Sequence, residues 1–225
     1  MPARPLLYYI TNRTMFPGDE AARRRLVLDK IGEAVRCGVD YIQLREKDLS
    51  GRELEELARH AMRIVREERE SSSAPGRKTR LLINSRTDVA MAVSADGVHL
   101  RANDLSMRDV REIVRHANLR NSKLETQNFI VGVSCHSQEE VRAAAADGAD
   151  FVVFAPIFEK SGASKSGVGL DALAQACQLA IPVFALGGVT LVNARLCLHA
   201  GAAGIAGIRL FQRNTIADVV RTLRR

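Results

Sequence analysis

Tyr41-Ile42-Gln43-Leu44-Arg45-Glu46-Lys47 is the stretch from which the fold can be read. Its first half alternates like a half-buried strand and its second half is a polar cluster. At a period of two, Gln43, Arg45 and Lys47 share one face, while Leu44 and Glu46 face the other way. A strand that buries its start and then presents Gln, Arg and Lys is suited to meet an anion. Arg offers a planar fork for phosphate oxygens and Lys a mobile point charge. Taken alone, the cluster also fits a strand end with solvated charges.

Working outward, the same unit recurs. Apolar, β-prone runs are expected at Leu6 to Ile10, Tyr41 to Lys47, Leu81 to Ile83, Gly97 to Leu100, Phe129 to Val133, Phe151 to Ile157, Pro182 to Leu186 and Gly204 to Leu210. Amphipathic or small-residue runs follow each of them. Gly38 stops the first helix, Ser50 and Glu53 have capping-box spacing, and Ser106, Ser137 and Thr190 are expected caps, with a last helix from Thr215 to Leu223. Asn118 to Asn128 and Phe158 to Val168 are expected as loops. Eight strand-then-helix units, with strands apolar throughout, predict a closed (β/α)₈ barrel, an α/β fold with residues 1–225 as one domain. An open doubly wound sheet is the alternative.

Composition narrows the function. Hydrophobic residues make up 46%, enough for a full core, and the net charge of +7 admits acidic substrates. Aromatics are 4%, Trp is absent, and the basic residues are scattered around Arg23 to Arg25, Arg77 to Arg80 and Arg221 to Arg225. That pattern speaks against a nucleic-acid partner. Cys37, Cys135, Cys177 and Cys197 have no metal or redox spacing and read as free thiols. No run reaches the ~20 apolar residues of a membrane span, and the start is too short for a signal peptide. A cytoplasmic protein without a membrane partner is expected, and a homo-oligomer stays open.

In such barrels the chemistry gathers at the C-terminal ends of the strands. There the sequence offers Gln43, Arg45 and Lys47, then Asn84, Asp104, Ser134 and His136. The loop after the sixth strand adds Lys160 and Lys165, and the last two strands add Gly187, Gly188, Gly207 and Ile208. The glycines suit a phosphate cup, because backbone N–H groups can approach the oxygens. Arg45 and Lys47 lie far round the barrel from that cup, which points to two anionic groups. His136 follows a strand directly and has the chemistry to carry a proton near neutral pH. His99 lies inside a strand and is expected as a buried core group.

Gln43-Leu44-Arg45-Glu46-Lys47, Ala95-Asp96-Gly97-Val98-His99-Leu100, Val133-Ser134-Cys135-His136-Ser137, Ala155-Pro156-Ile157-Phe158 and Ala185-Leu186-Gly187-Gly188-Val189 together resemble the thiamine-phosphate synthase family, which includes a sister thiazole tautomerase. The resemblance covers essentially the whole chain. It implies condensation of hydroxymethylpyrimidine pyrophosphate with thiazole phosphate carboxylate, releasing pyrophosphate and carbon dioxide. It further implies that Arg45, Lys47 and Asn84 hold the pyrophosphate, with Gln43 beside the pyrimidine and Ser134 on the leaving group. Lysine from the loop after the sixth strand, Lys160 or Lys165, would face the same group. Asp104 would ligate Mg²⁺, and the backbone at Gly187, Gly188 and Ile208 would hold the thiazole phosphate.

Departures from the pattern are concentrated in one place. Synthases usually have Asn-Asp after the third strand, the Asp being a magnesium ligand, where this chain has Asn84-Ser85. They usually have Gly-Gln where it has Arg101-Ala102, ahead of Asn103-Asp104. Asn84-Ser85-Arg86 is closer to the tautomerase pattern, in which a histidine matching His136 moves the proton. A barrel that binds phosphate ligands without turnover is a third reading, and a phosphosugar isomerase a fourth that would not call for Arg45 and Lys47.

Overall fold

The computed structural model describes residues 4–71, 79–101, 104–120, 128–159 and 167–224. Its strands are β1 (Leu6–Ile10), β2 (Tyr41–Leu44), β3 (Arg80–Asn84), β4 (Gly97–Leu100), β5 (Ile130–Cys135), β6 (Phe151–Phe154), β7 (Val183–Ala185) and β8 (Gly204–Gly207). They form a closed barrel in sequence order. All pairs are parallel, and β1 closes on β8 from Leu6 opposite Gly204 to Tyr9 opposite Gly207. The outer helices are α1 (Glu20–Arg36), α2 (Gly51–Ser71), α3 (Thr87–Ala92), α4 (Met107–Arg120), α5 (Gln138–Ala146), α6 (Gly169–Ala176), α7 (Ala194–His199), α8 (Arg209–Gln212) and α9 (Ile216–Leu223). The expected barrel is thus the fold, and the open sheet is excluded.

Strand alternation divides the core in two. Tyr9, Ile42, Leu44, Leu81, Ile83, Val98, Val131, Val152 and Ile205 point outward and bury the helices' apolar faces. Tyr8, Leu82, Phe151, Val153, Phe184 and Ala206 point inward. Phe151 stacks edgewise on Tyr8 and Phe184, with centroids 5.4 and 5.0 Å apart. Such pairs add about 0.5–1.5 kcal/mol each beyond their buried area. This aromatic plug fills the barrel interior, so ligands have access at one mouth rather than through a pore.

Four strands stop earlier than the apolar pattern predicts, β7 by one residue at Ala185. β2 ends at Leu44 because β1 ends beside it: Thr11 N–H donates to Gln43 O at 2.9 Å, and then the Thr11 hydroxyl accepts the Arg45 N–H at 3.0 Å. A side chain replaces the next rung of the ladder. β6 ends at Phe154, ahead of Pro156, which has no N–H to donate. β8 ends at Gly207, where Ile208 turns helical (φ −98°, ψ −71°) and its carbonyl accepts from the amides of Phe211 and Gln212.

The helix starts follow the sequence closely. Ser50 N–H donates to Glu53 Oε2 at 3.0 Å and the Ser50 hydroxyl accepts the Glu53 N–H at 3.3 Å, completing the capping box. Ser137 and Thr215 accept from the amides of Glu140 and Asp218. Thr190 instead exchanges bonds with Asn193 in a turn, and α7 begins only at Ala194. All four cysteines are free. Among the described residues no helix is long and apolar enough to cross a membrane.

Candidate active site

Parallel closure brings the C-terminal end of every strand to one mouth, so the residues after β2 and those after β7 and β8 share it. Gln43, Asn84 and Ser134 lie on inward-facing strand positions near that mouth. Lys160 and Lys165 lie outside the described residues.

The polar cluster after β2 is organised by Glu46 and Arg13. Glu46 is buried, as the alternation predicted for the face opposite Arg45. It accepts from the Thr11 hydroxyl at 2.5 Å and from the Arg13 amide at 2.9 Å. The Arg13 guanidinium meets Glu46 at 3.3 Å, and the two side chains are 4% and 1% exposed. Arg13 also takes both oxygens of Asp48, at 2.7 and 2.9 Å, and Glu20 at 2.8 Å. One buried arginine thus absorbs the neighbouring carboxylates.

Arg45 and Lys47 are left over. Among the described residues neither forms an ion pair. Burial, reinforced by repulsion from Arg101, holds the half-buried Arg45 guanidinium below its usual range, with Glu46 opposing. The exposed Lys47 ammonium is pulled down by the charge of Arg45, then by desolvation and by Arg101. Adjacent cations with no carboxylate partner among the described residues have the chemistry to meet an anion.

A hydrogen-bonded line crosses the barrel above the aromatic plug. The Gln43 side-chain amide donates to Tyr8 Oη at 3.1 Å. Tyr8 Oη lies 3.2 Å from His99 Nδ1, and His99 Nε2 lies 2.8 Å from Ser134 Oγ. Burial drives the His99 pKa down to about 3, against the attraction of Asp104, so the ring is neutral near pH 7. With Gln43 donating to Tyr8, the phenol donates to Nδ1, and Nε2–H then donates to Ser134. The Ser134 proton is free to point into the mouth. His99 is therefore buried, as expected, but it also orients a site hydroxyl. The inward position of Tyr8 and His99 in their strands was the available signal for that link.

His136 stands beyond β5, exposed, with Nδ1 2.7 Å from Ala155 O. That bond places the proton on Nδ1 and leaves the Nε2 lone pair outward.

After β7, Gly187 and Gly188 adopt φ of +97° and +65°, the left-handed region that favours glycine. A Cβ on Gly187 would lie 2.6 Å from Pro156 Cα, and one on Gly188 would lie 2.7 Å from Phe158 Cβ. The Gly187 carbonyl accepts from the Phe158 amide at 3.0 Å, and the Gly188 carbonyl from Asn193 Nδ2 at 3.1 Å. The amides of Gly187, Gly188 and Ile208 donate to no acceptor among the described residues. Fixed carbonyls and unused amides make a cup of N–H donors, with Gly207 closing β8 beside it.

Asp104 does not stand ready for a metal. Its carboxylate accepts from the Arg101 amide at 2.7 Å and from the Arg101 guanidinium at 2.9 Å (Nη2) and 3.4 Å (Nε). Burial pushes this carboxyl up, but the Arg101 bonds and the Ser85 hydroxyl outweigh it and hold it below the usual range. Ser85 supplies no charge, and its Oγ accepts from Arg101 Nε at 2.8 Å and from Asn84 Nδ2 at 2.9 Å. Mg²⁺ takes a near-octahedral shell of oxygens, commonly one or two carboxylates with waters and substrate phosphates, and the one carboxylate placed here is already bonded to Arg101. Among the described residues no group of three or more His, Cys, Asp or Glu could hold a metal. The residues here do not fit the metal that the resemblance implies.

Comparison with known proteins identifies the family and the fold. Residues 7–211 match the family model described as thiamine monophosphate synthase. The thiamine-phosphate synthase of Caldanaerobacter subterraneus subsp. tengcongensis is 34% identical over 228 residues, covering 97% of this chain and 94% of the relative. That of Syntrophomonas wolfei is 33% identical over 222 residues, with the same coverage of 97% and 94%. The solved structure of thiamine phosphate pyrophosphorylase from Pyrococcus furiosus superposes with a TM-score of 0.75 at 29% identity, covering 97% of this chain and 93% of that one.

Proposed function

The chain belongs to the thiamine monophosphate synthase family, and from that premise we propose that it is a thiamine-phosphate synthase of thiamine biosynthesis, a transferase acting on two small phosphorylated substrates. One is hydroxymethylpyrimidine pyrophosphate and the other thiazole phosphate or its carboxylate. The observation that carries this reading is the presence of two separate anion-binding surfaces at one barrel mouth. Arg45 and Lys47, which form no ion pair among the described residues, make the first, and the amides of Gly187, Gly188 and Ile208, which have no acceptor among the described residues, make the second.

The chemistry follows from charge. The bond between the pyrimidine methylene carbon and the pyrophosphate oxygen breaks, and its electron pair leaves with the oxygen. Arg45 and Lys47 stabilise the negative charge that builds there, with Asn84 and the Ser134 hydroxyl as neutral donors. The thiazole nitrogen then gives its lone pair to the methylene cation, forming the C–N bond. When the thiazole carries its carboxylate, carbon dioxide leaves after the bond forms. The glycine cup holds the thiazole phosphate so that the nitrogen faces the cation, which supplies proximity rather than acid–base chemistry. Gln43, tied through its amide to Tyr8, presents its side-chain oxygen to the pyrimidine.

The test is direct. Purified protein mixed with both substrates is expected to form thiamine phosphate and pyrophosphate in equal amounts. Failure to form either, with both substrates shown to bind, would overturn the proposal. A second reading is favoured by Ser85 and by the outward Nε2 of His136: tautomerisation of the thiazole carboxylate, with His136 moving the proton. Isomerisation without condensation, abolished by His136→Asn, would select it.

A further inference from the structure

We propose that Arg101 is a resident cation of the diphosphate subsite, standing where the family pattern implies a divalent metal, so that this chain binds a diphosphate without metal. The inference rests on the diphosphate reading above and extends it to how the leaving group's charge is met.

Three observations carry it. First, the Arg101 guanidinium joins the two positions from which a metal would be held. It binds Asp104 at 2.9 Å and Ser85 Oγ at 2.8 Å. A metal ion at Asp104 would have to displace a charged fork already bonded to both carboxylate oxygens. Second, the guanidinium still has donors to give. Of its five N–H groups, the contacts to Asp104 and Ser85 occupy two, with Nε–H shared. Its side chain is 53% exposed while Asp104 is 7% exposed, so the carboxylate lies beneath and the fork faces solvent. Third, Arg101 acts on the same place as the anion cluster. Its charge depresses both Arg45 and Lys47. Arg45, Lys47 and Arg101 against the single carboxylate of Asp104 leave the cluster two net positive charges, one of them brought by Arg101.

The local backbone supports this assignment. Ser85 has φ of +63°, a left-handed conformation that is costly for a residue with a side chain. Its amide donates to His99 O at 2.9 Å, which fixes that conformation and aims the hydroxyl at Arg101. A serine here accepts from a guanidinium as a neutral group. It does not draw in a second cation.

The experiment is calorimetric titration of inorganic pyrophosphate into the wild-type protein, in EDTA and in Mg²⁺, repeated with Arg101→Ala after circular dichroism has shown the variant folded. Mn²⁺ binding, followed by electron paramagnetic resonance, is a second readout. The wild type should bind pyrophosphate in EDTA, with less than about a threefold gain from Mg²⁺, and should bind no Mn²⁺. In Arg101→Ala, metal-free affinity should fall about 10–100-fold, the loss of one charge-assisted hydrogen bond. Mg²⁺ should restore much of it, and Mn²⁺ should now bind through the released Asp104. Binding by the wild type only with Mg²⁺, or undiminished metal-free binding by Arg101→Ala, would overturn the inference and leave the diphosphate reading standing. No binding by the wild type in either condition would overturn both.

Discussion

Replacing Arg45 with methionine removes a charge while keeping most of the buried stem, and it should separate function from stability. In the folded protein the guanidinium is half-buried, forms no ion pair among the described residues, and is opposed by Arg101. A bidentate contact from it to a phosphate is two charge-assisted hydrogen bonds, each about 1.5–3 kcal/mol. Their loss in the transition state amounts to about 3–6 kcal/mol, or roughly a 10²–10⁴-fold drop in kcat/KM. The fold loses the attraction of Glu46 but is relieved of the larger cost of burying the charge and of the repulsion from Arg101. The melting temperature should therefore stay level or rise, by about 2–4 °C if the relief reaches about 1 kcal/mol. The assay is steady-state formation of thiamine phosphate beside a thermal melt of the same preparation. Activity within about threefold of wild type, or a melting temperature lower by more than about 5 °C, would show that Arg45 is a structural residue and that the anion cluster has been misread.

Glu46→Gln should have the opposite signature. It removes one partner of a buried pair while Asp48 and Glu20 still face Arg13, and burial already raises the Glu46 pKa, so a fall in stability of about 1–3 kcal/mol is expected in the denaturant midpoint; an unchanged midpoint would refute the role given to Glu46. Stability should also depend on His99. Its folded pKa is depressed, so the unfolded chain takes up the proton first as pH falls. This contribution is therefore complete above the ordinary pKa of 6.5 and is lost as pH drops toward about 3. Between pH 7 and pH 5 the loss is about 2 kcal/mol, and His99→Gln should flatten that slope in urea melts; parallel slopes would contradict it. Gly187→Ala forces a Cβ to within 2.6 Å of Pro156 Cα at a left-handed position. It should cost about 1–3 kcal/mol of stability and raise the KM for thiazole phosphate more than that for the diphosphate, which paired titrations would show.

The barrel was legible because each strand is buried on both sides and reads as an apolar run, with a capping residue or glycine marking many of the turns. The shared face of Gln43, Arg45 and Lys47 followed from the two-residue period alone. Strand ends were harder to read. Leu44, Phe154 and Gly207 stop their strands for reasons outside the run: the Thr11 hydroxyl, Pro156 and the helical turn at Ile208. The Arg13 network joins residues 20, 46 and 48, and no local spacing reveals that one arginine will pair with all three. Asp104 was expected as a metal ligand from the resemblance to the synthase family, its place after β4 matching that pattern. Its pairing with Arg101 and the meeting of both with Ser85 depend on a left-handed turn at position 85, which no propensity of serine announces.

The central claim is that two chemically different anion sites face one another across a single mouth. A crystal grown with both reaction products, thiamine phosphate and pyrophosphate, tests it most directly. Pyrophosphate is predicted on Arg45, Lys47 and Arg101, with the thiamine phosphate group on the amides of Gly187, Gly188 and Ile208. Both anions on the same residues, or either one at the opposite end of the barrel, would contradict it.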